Sequence, residues 1–78
     1  MRRYAYPVVI EPLEEGGYLA SCPSLPGCHA EGKTRGEALN IIEDVMKIFI
    51  EDMISENKEV PPSVDTNSTV TILEYISA

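Results

Sequence analysis

The sequence predicts an α+β fold, a β-β-β-α-β two-layer sandwich in which one long helix covers a four-stranded sheet. Two observations predict it. Short segments of aromatic and β-branched residues, separated by Gly and Pro, occur before residue 33 and again after residue 68. Between them lies one long segment whose apolar residues repeat at intervals of three and four. A chain of 78 residues without internal repeats is expected to form a single domain, residues 1–78, around one core.

The first predicted strand spans residues 4–12 and brings alternate side chains to one face, namely Tyr4, Tyr6, Val8 and Ile10. Pro7 falls inside this segment and has no N–H to donate to a neighbouring strand. Either Pro7 faces away from a neighbour, or the strand begins after it. The pattern leaves both arrangements open.

Glycine and proline divide the next part of the chain into two further strands. Gly16-Gly17 can take the positive φ values of a tight connection, and it predicts a hairpin before a second strand at residues 18–22. The segment Pro23–Gly27 then interrupts the pattern ahead of a short third strand at residues 28–32. Three glycines are expected to have structural roles here: Gly17, Gly27 and Gly32.

A capping box marks the start of the helix. In Thr34-Arg35-Gly36-Glu37, the Thr34 hydroxyl is expected to accept from the N–H at the third helical position, and the Glu37 carboxylate from the cap N–H. From there to near Asn57 one apolar stripe runs along the helix: Ala38, Ile41, Ile42, Val45, Met46, Phe49 and Met53. The whole apolar arc is about 200° wide, with Ile41 and Ile48 on one flank and Leu39, Ile50 and Ile54 on the other. The surplus is available to the C-terminal segment, to a second copy or to a partner.

Residues 69–76 predict a fourth strand, with Val70, Ile72 and Ile76 on one side. Pro61 and Pro62 end the helix before it, because consecutive prolines cannot continue a helix. A long return of this kind could place the last strand beside the first and parallel to it, by the rule for right-handed crossovers.

The charge balance favours a protein partner over a nucleic acid. Thirteen acidic residues against six basic ones give a net charge of −7, which repels phosphate and attracts a cationic protein. No apolar run is long enough to span a membrane, and no signal-peptide core follows Met1. We therefore expect a cytoplasmic, acidic protein that does not bind nucleic acid directly.

Four carboxylates are the candidates for catalysis. Glu11, Glu74 and either Glu37 or Glu43 would form an Mg²⁺-dependent nuclease site if they converged. The capping box already explains Glu37, and acidic side chains on a helix are usually solvated. We expect no catalytic residue, and a metal-dependent nuclease is the alternative.

Cys22, Cys28 and His29 form the second candidate cluster. They offer three soft ligands for Zn²⁺, but the chain has no fourth Cys or His. Cys28 and His29 are adjacent in a strand, so their side chains point to opposite faces and do not form a nucleophile–base pair. We expect two free thiols, no metal site and no cofactor.

Several motifs occur in an order typical of one family. These are YPVVIEP at residues 6–12, GGYLASCPSLPGCHAEG at residues 16–32, the TRGEALNIIEDVMKIFIEDMI helix and the following VPPS. On these motifs the chain, from Tyr6 to Pro62, closely resembles the HicB family of antitoxin domains.

The resemblance implies a degraded RNase H-like layer that sequesters a small, basic, mRNA-cleaving toxin of the HicA type. It also implies a homodimer or a larger homo-oligomer. Members with a C-terminal ribbon-helix-helix or helix-turn-helix module bind operator DNA, and no pattern for such a module follows the last predicted strand. A stand-alone oligomeric or regulatory module is a further alternative.

Occlusion is the expected mechanism, in which the acidic domain covers the toxin's cationic RNA-binding surface. The residues expected to contact the partner are those of the two turns and their flanks: Glu14, Glu15, Tyr18, Pro23, Leu25, Pro26 and His29.

Overall fold

The computed structural model describes residues 2–64 and 71–77. Within them the chain forms five strands and one helix, so the α+β class is confirmed. The elements are β1 (Arg2–Pro7), β2 (Val9–Pro12), β3 (Tyr18–Ser21), β4 (His29–Gly32), α1 (Arg35–Ser55) and β5 (Ile72–Ser77). The helix ends two residues before the predicted Asn57.

The first predicted strand is divided at Val8, and the two parts belong to different sheets. β1 pairs with β5, whereas β2 pairs with β3, which in turn pairs with β4. The described strands therefore form a two-stranded and a three-stranded sheet, and the prediction of one four-stranded sheet is wrong. Pro7 ends β1, as expected of a residue without an N–H, and the next N–H, that of Val8, donates to the Thr71 carbonyl at 2.9 Å.

β5 runs antiparallel to β1, with Tyr4 opposite Tyr75, so the predicted parallel arrangement is wrong. The side of β5 that packs on the core is also different: Leu73 and Tyr75 contact the core, whereas Ile76 is 55% exposed. The Tyr75 ring stacks on Tyr4 with centroids 6.1 Å apart, which favours this face. Thr69 and Val70, part of the predicted strand, lie outside the described residues.

The segment after the helix lies along β1 before β5 begins. Val64 N–H donates to the Ala5 carbonyl at 2.9 Å, and Ser63 Oγ accepts from Ala5 N–H at 3.1 Å. The Tyr6 hydroxyl donates to the Pro61 carbonyl at 2.6 Å. These bonds attach the returning chain to β1, so the connection is not a direct crossover from helix to strand.

The helix cap differs in one bond from the capping box. Thr34 Oγ1 accepts from the Glu37 N–H at 3.1 Å, as the pattern predicts. The Glu37 carboxylate, however, accepts from the Lys33 N–H at 3.0 Å, one residue before the expected cap N–H. Both bonds tie the short connection between β4 and the helix to the first helical turn.

The core lies between the helix and the inner faces of the strands. The predicted face of the first strand is confirmed, because Tyr4, Tyr6 and Val8 are buried and Ile10 packs beside them. From the helix, four residues are buried: Ala38, Ile42, Met46 and Ile50. Ile50 was expected only at the margin of the stripe.

Candidate protein-binding surface

The residues expected to contact a partner lie at two separate ends of the three-stranded sheet. β2 and β3 are joined by the Gly16-Gly17 hairpin, and β3 and β4 by the loop that contains Pro23 and Pro26. In an antiparallel meander, successive connections fall at opposite ends. Glu14, Glu15 and Tyr18 therefore lie at one end, and Pro23, Leu25, Pro26 and His29 at or near the other.

The hairpin end is acidic and borders the start of the helix. Glu14 and Glu15 are exposed, whereas Tyr18 is half-buried with the Arg35 guanidinium 5.9 Å from its ring centroid. A depression of about 460 Å³ lies here, lined by Leu13, Glu15, Gly16, Gly17, Glu31, Gly32, Lys33 and Glu37. Gly17 has φ +86°, and a Cβ there would lie 2.8 Å from the Gly32 carbonyl oxygen, so this position requires glycine.

The loop end is held rigidly by backbone bonds and one core side chain. Cys22 N–H donates to the Cys28 carbonyl at 3.0 Å, Leu25 N–H to the Cys22 carbonyl at 3.1 Å and Cys28 N–H to the Leu25 carbonyl at 2.9 Å. Leu25 is fully buried, so the expectation that it contacts a partner is wrong. Leu25 is the large aliphatic residue of the loop, and its burial in the core anchors the loop. Pro23 and Pro26 on either side of it are exposed.

The loop contacts the helix beside a groove. At Gly27, where φ is +84°, a Cβ would lie 3.9 Å from Phe49 Cζ. Next to this contact is a groove of about 280 Å³ lined by Ile48, Phe49, Asp52, Met53 and Lys58. The loop and the second half of the helix are thus close to each other at Gly27 and Phe49.

Part of the apolar arc of the helix is exposed among the residues that the structure describes, and the sequence had left open what covers it. Ile48 is 64% exposed, Ile41 39% and Ile54 45%. Ile41, Val45 and Ile48 follow one another at helical spacing, so they form a line along one face. Ile54 lies about 120° from Ile48 around the helix axis, on a different face.

The outer face of the three-stranded sheet is a second mixed surface, of which only His29 was among the predicted contact residues. The strand register places Val9, Ser21 and His29 in one row and Glu11, Leu19 and Glu31 in the next. Strict alternation along β2 and β3 was the signal that could have found it. His29 is exposed here, while Cys28 is buried on the other side.

Both cysteines are buried free thiols. Burial, followed by the negative charge of a neighbouring Cys22 thiolate, raises the pKa of Cys28 from 9.0 to about 11. Burial also raises the pKa of Cys22, against hydrogen bonds from the Leu25 and Ser24 backbone that lower it. Thiols with raised pKa values are weak nucleophiles, so we assign Cys22 and Cys28 a structural role in the loop.

The candidate carboxylates do not converge. Across residues 2–64 and 71–77, no group of three His, Cys, Asp or Glu side chains is placed to hold a metal ion. Glu74 forms a salt bridge with Arg3. The Glu37 carboxylate accepts from the Lys33 N–H at the helix N-terminus. Among the same residues, no helix has the length and hydropathy to cross a membrane.

The chain matches one family model and several known proteins, some of which are named antitoxins. Residues 6–78 match a family described as HicB-like antitoxin of bacterial toxin-antitoxin system. A UPF0150 protein of Synechocystis is 43% identical over 58 residues, which cover 74% of this chain and 73% of that protein. Antitoxin HicB 1 of Photorhabdus laumondii is 38% identical over 61 residues, covering 78% of this chain but 39% of the antitoxin.

The fold agrees with that relationship. The N-terminal domain of Burkholderia pseudomallei antitoxin HicB matches with a TM-score of 0.72 and 16% identity, covering 95% of this chain and 98% of that domain. The molecule is thus an α+β domain of the kind found at the N-terminus of a HicB antitoxin. The chain belongs to the HicB-like antitoxin family, and the resemblance drawn from its motifs is confirmed.

Proposed function

We propose that this chain is a non-catalytic antitoxin domain that binds a small, basic, HicA-like mRNA-cleaving toxin and occludes its RNA-binding or active surface. Family membership over residues 6–78 is the observation that carries the proposal. A toxin of this kind must bind phosphate, so its working surface is cationic. An acidic protein that covers that surface keeps RNA out by steric exclusion and by charge.

The surface of the chain supports this role. The net charge is −7, and none of the described charged residues is buried, so the acidic groups face solvent. Exposed isoleucines and prolines lie among them and supply apolar contacts. Charge accelerates the encounter with a basic partner, and apolar anchors slow its release.

The proposal includes four finer statements. The chain acts in the cytoplasm as a homodimer or larger homo-oligomer, it does not bind nucleic acid directly, and its layer of helix and strands is a degraded relative of the RNase H fold. Oligomerisation would cover apolar surface that a domain of this size leaves open.

Co-expression tests the proposal. A HicA-type toxin from the same genome is induced alone, with this chain, or with a version of the chain truncated before the helix. We expect growth to be rescued by the full chain only, and the toxin to co-purify with it at a fixed ratio. Continued growth arrest with abundant soluble full chain would contradict the proposed function.

A further inference from the structure

Ile48 is the most exposed of the described large apolar side chains, and its helical neighbours are mostly acidic. It is 64% exposed on the second half of the helix. Residues three and four positions away on a helix are its surface neighbours. For Ile48 these are Asp44, Val45, Glu51 and Asp52, so three of the four carry a carboxylate.

Two of the three carboxylates next to Ile48 are available to contact a partner. Asp44 and Asp52 are exposed, and neither forms a salt bridge with another residue in the described ranges. The Glu51 side chain is directed towards β5, since one of its carboxylate oxygens accepts from the Tyr75 hydroxyl at 2.9 Å. The Lys47 ammonium lies 5.8 Å from the same Tyr75 ring, away from Ile48. The face therefore combines an apolar side chain with two carboxylates that form no salt bridge within the described residues.

The groove continues this face towards the loop. Ile48 and Asp52 line it together with Phe49 and Met53, and Phe49 reaches Gly27 of the loop. The Lys58 ammonium on its rim is 2.8 Å from a Glu56 carboxylate oxygen and also interacts with the Asp52 charge, so two carboxylates compensate one cation. An apolar side chain inserted here would contact Phe49 and Met53, and a cation beside it would face Asp52.

We propose that the face formed by Ile41, Val45, Ile48 and the groove, with Asp44 beside Ile48 and Asp52 within the groove, is where the basic toxin docks. This inference rests on the proposed function and adds to it the surface used. The occupant follows from charge: an apolar side chain flanked by Lys or Arg matches the face. A second copy presenting the same face would bring Asp44 and Asp52 against their own equivalents, which is unfavourable.

Matched substitutions test the surface. The probe is a catalytically inactive HicA-type toxin from the same genome, titrated by calorimetry into the full chain. Ile48→Ser is expected to weaken binding at least about tenfold, as for a central apolar anchor. Ile54→Ser removes the same side chain from the same helix at 45% exposure, and it is expected to change the affinity by less than about twofold.

A charge pair of variants provides a second readout. Asp44→Asn with Asp52→Asn is expected to lower the association rate several-fold and to reduce its salt dependence. Glu43→Gln with Glu59→Gln removes the same charge from other exposed positions and is expected to have a smaller effect. Far-UV circular dichroism confirms that each variant is folded.

The outcomes separate the two proposals. If the unmodified chain does not bind the toxin, the proposed function fails and this inference fails with it. If the unmodified chain binds and Ile48→Ser binds equally well, only the inference is overturned. It is also overturned if Ile48→Ser breaks a homo-oligomer in sedimentation without changing toxin affinity, because the occupant would then be a second copy.

Discussion

Gly32 lies against the first turn of the helix, and a Cβ at this position would be 2.5 Å from the backbone nitrogen of Ala38. No side chain fits there, since the neighbouring atoms are backbone and cannot move aside. Gly32 ends β4, so this contact sets how closely the three-stranded sheet and the helix approach. It also positions the Lys33 and Thr34 backbone for the cap.

Gly32→Ala is expected to lower the free energy of unfolding by about 1–3 kcal/mol, the usual cost of overpacking. Gly36→Ala is the matched control, because nothing lies within 4 Å of a Cβ there and the residue is helical. It is expected to stabilise the protein by about 0.5–1 kcal/mol. Urea unfolding followed by circular dichroism measures both. Equal effects of the two substitutions would mean that the sheet and helix are not in this contact.

Leu25→Ala is expected to destabilise the protein by about 2–5 kcal/mol, because it empties a fully buried site. Pro26→Ala, in the same loop but exposed, is expected to cost less than about 1 kcal/mol. Thermal unfolding distinguishes them. A small effect of Leu25→Ala on stability together with a large loss of toxin binding would restore Leu25 as a contact residue.

Stability is expected to fall in alkaline solution because of the buried thiols. The unfolded chain ionises Cys28 near pH 9.0, whereas the folded chain holds its proton until about pH 11. The contribution is thus complete below pH 9.0 and is lost as the pH rises to about 11. Unfolding at pH 8, 9, 10 and 11 should show a smaller decline for Cys28→Ala than for the unmodified chain. Parallel declines would contradict this assignment.

Association with the toxin is expected to depend on salt through its rate of formation. Raising the ionic strength screens the charge that brings the partners together and leaves apolar contacts in place. Stopped-flow measurements should show association slowing more than dissociation accelerates. Equal changes in the two rates would show that charge steering is absent.

Local patterns predicted much of the fold. The alternation of Tyr4, Tyr6 and Val8 and the Thr34 cap depend on neighbouring residues, which the sequence displays directly. The pairing and face of β5 depend on tertiary packing. In the sequence, Ile72 and Ile76 fit an alternating strand pattern as well as Leu73 and Tyr75 do. The stacking of Tyr75 on Tyr4 favours the face of Leu73 and Tyr75, and this stacking is a long-range contact.

The candidate surface was predicted only in part, for the same reason. Periodicity placed Ile41 and Ile48 at the edge of the helical stripe, and both are exposed. The same projection put Ile50 at the margin, although it is fully buried. Leu25 was expected to contact a partner as part of an exposed turn, whereas the loop folds it inward. Exposure at such positions is decided by the elements that pack there, which periodicity does not specify.

Inhibition of RNA cleavage tests the central claim most directly. An active HicA-type toxin from the same genome is incubated with an RNA substrate while the purified chain is titrated against it. Occlusion predicts that cleavage falls to zero as the chain reaches a fixed stoichiometry with the toxin, and that excess RNA present beforehand slows the inhibition. Undiminished cleavage in the presence of excess folded chain, or cleavage of the RNA by the chain alone, would contradict the account.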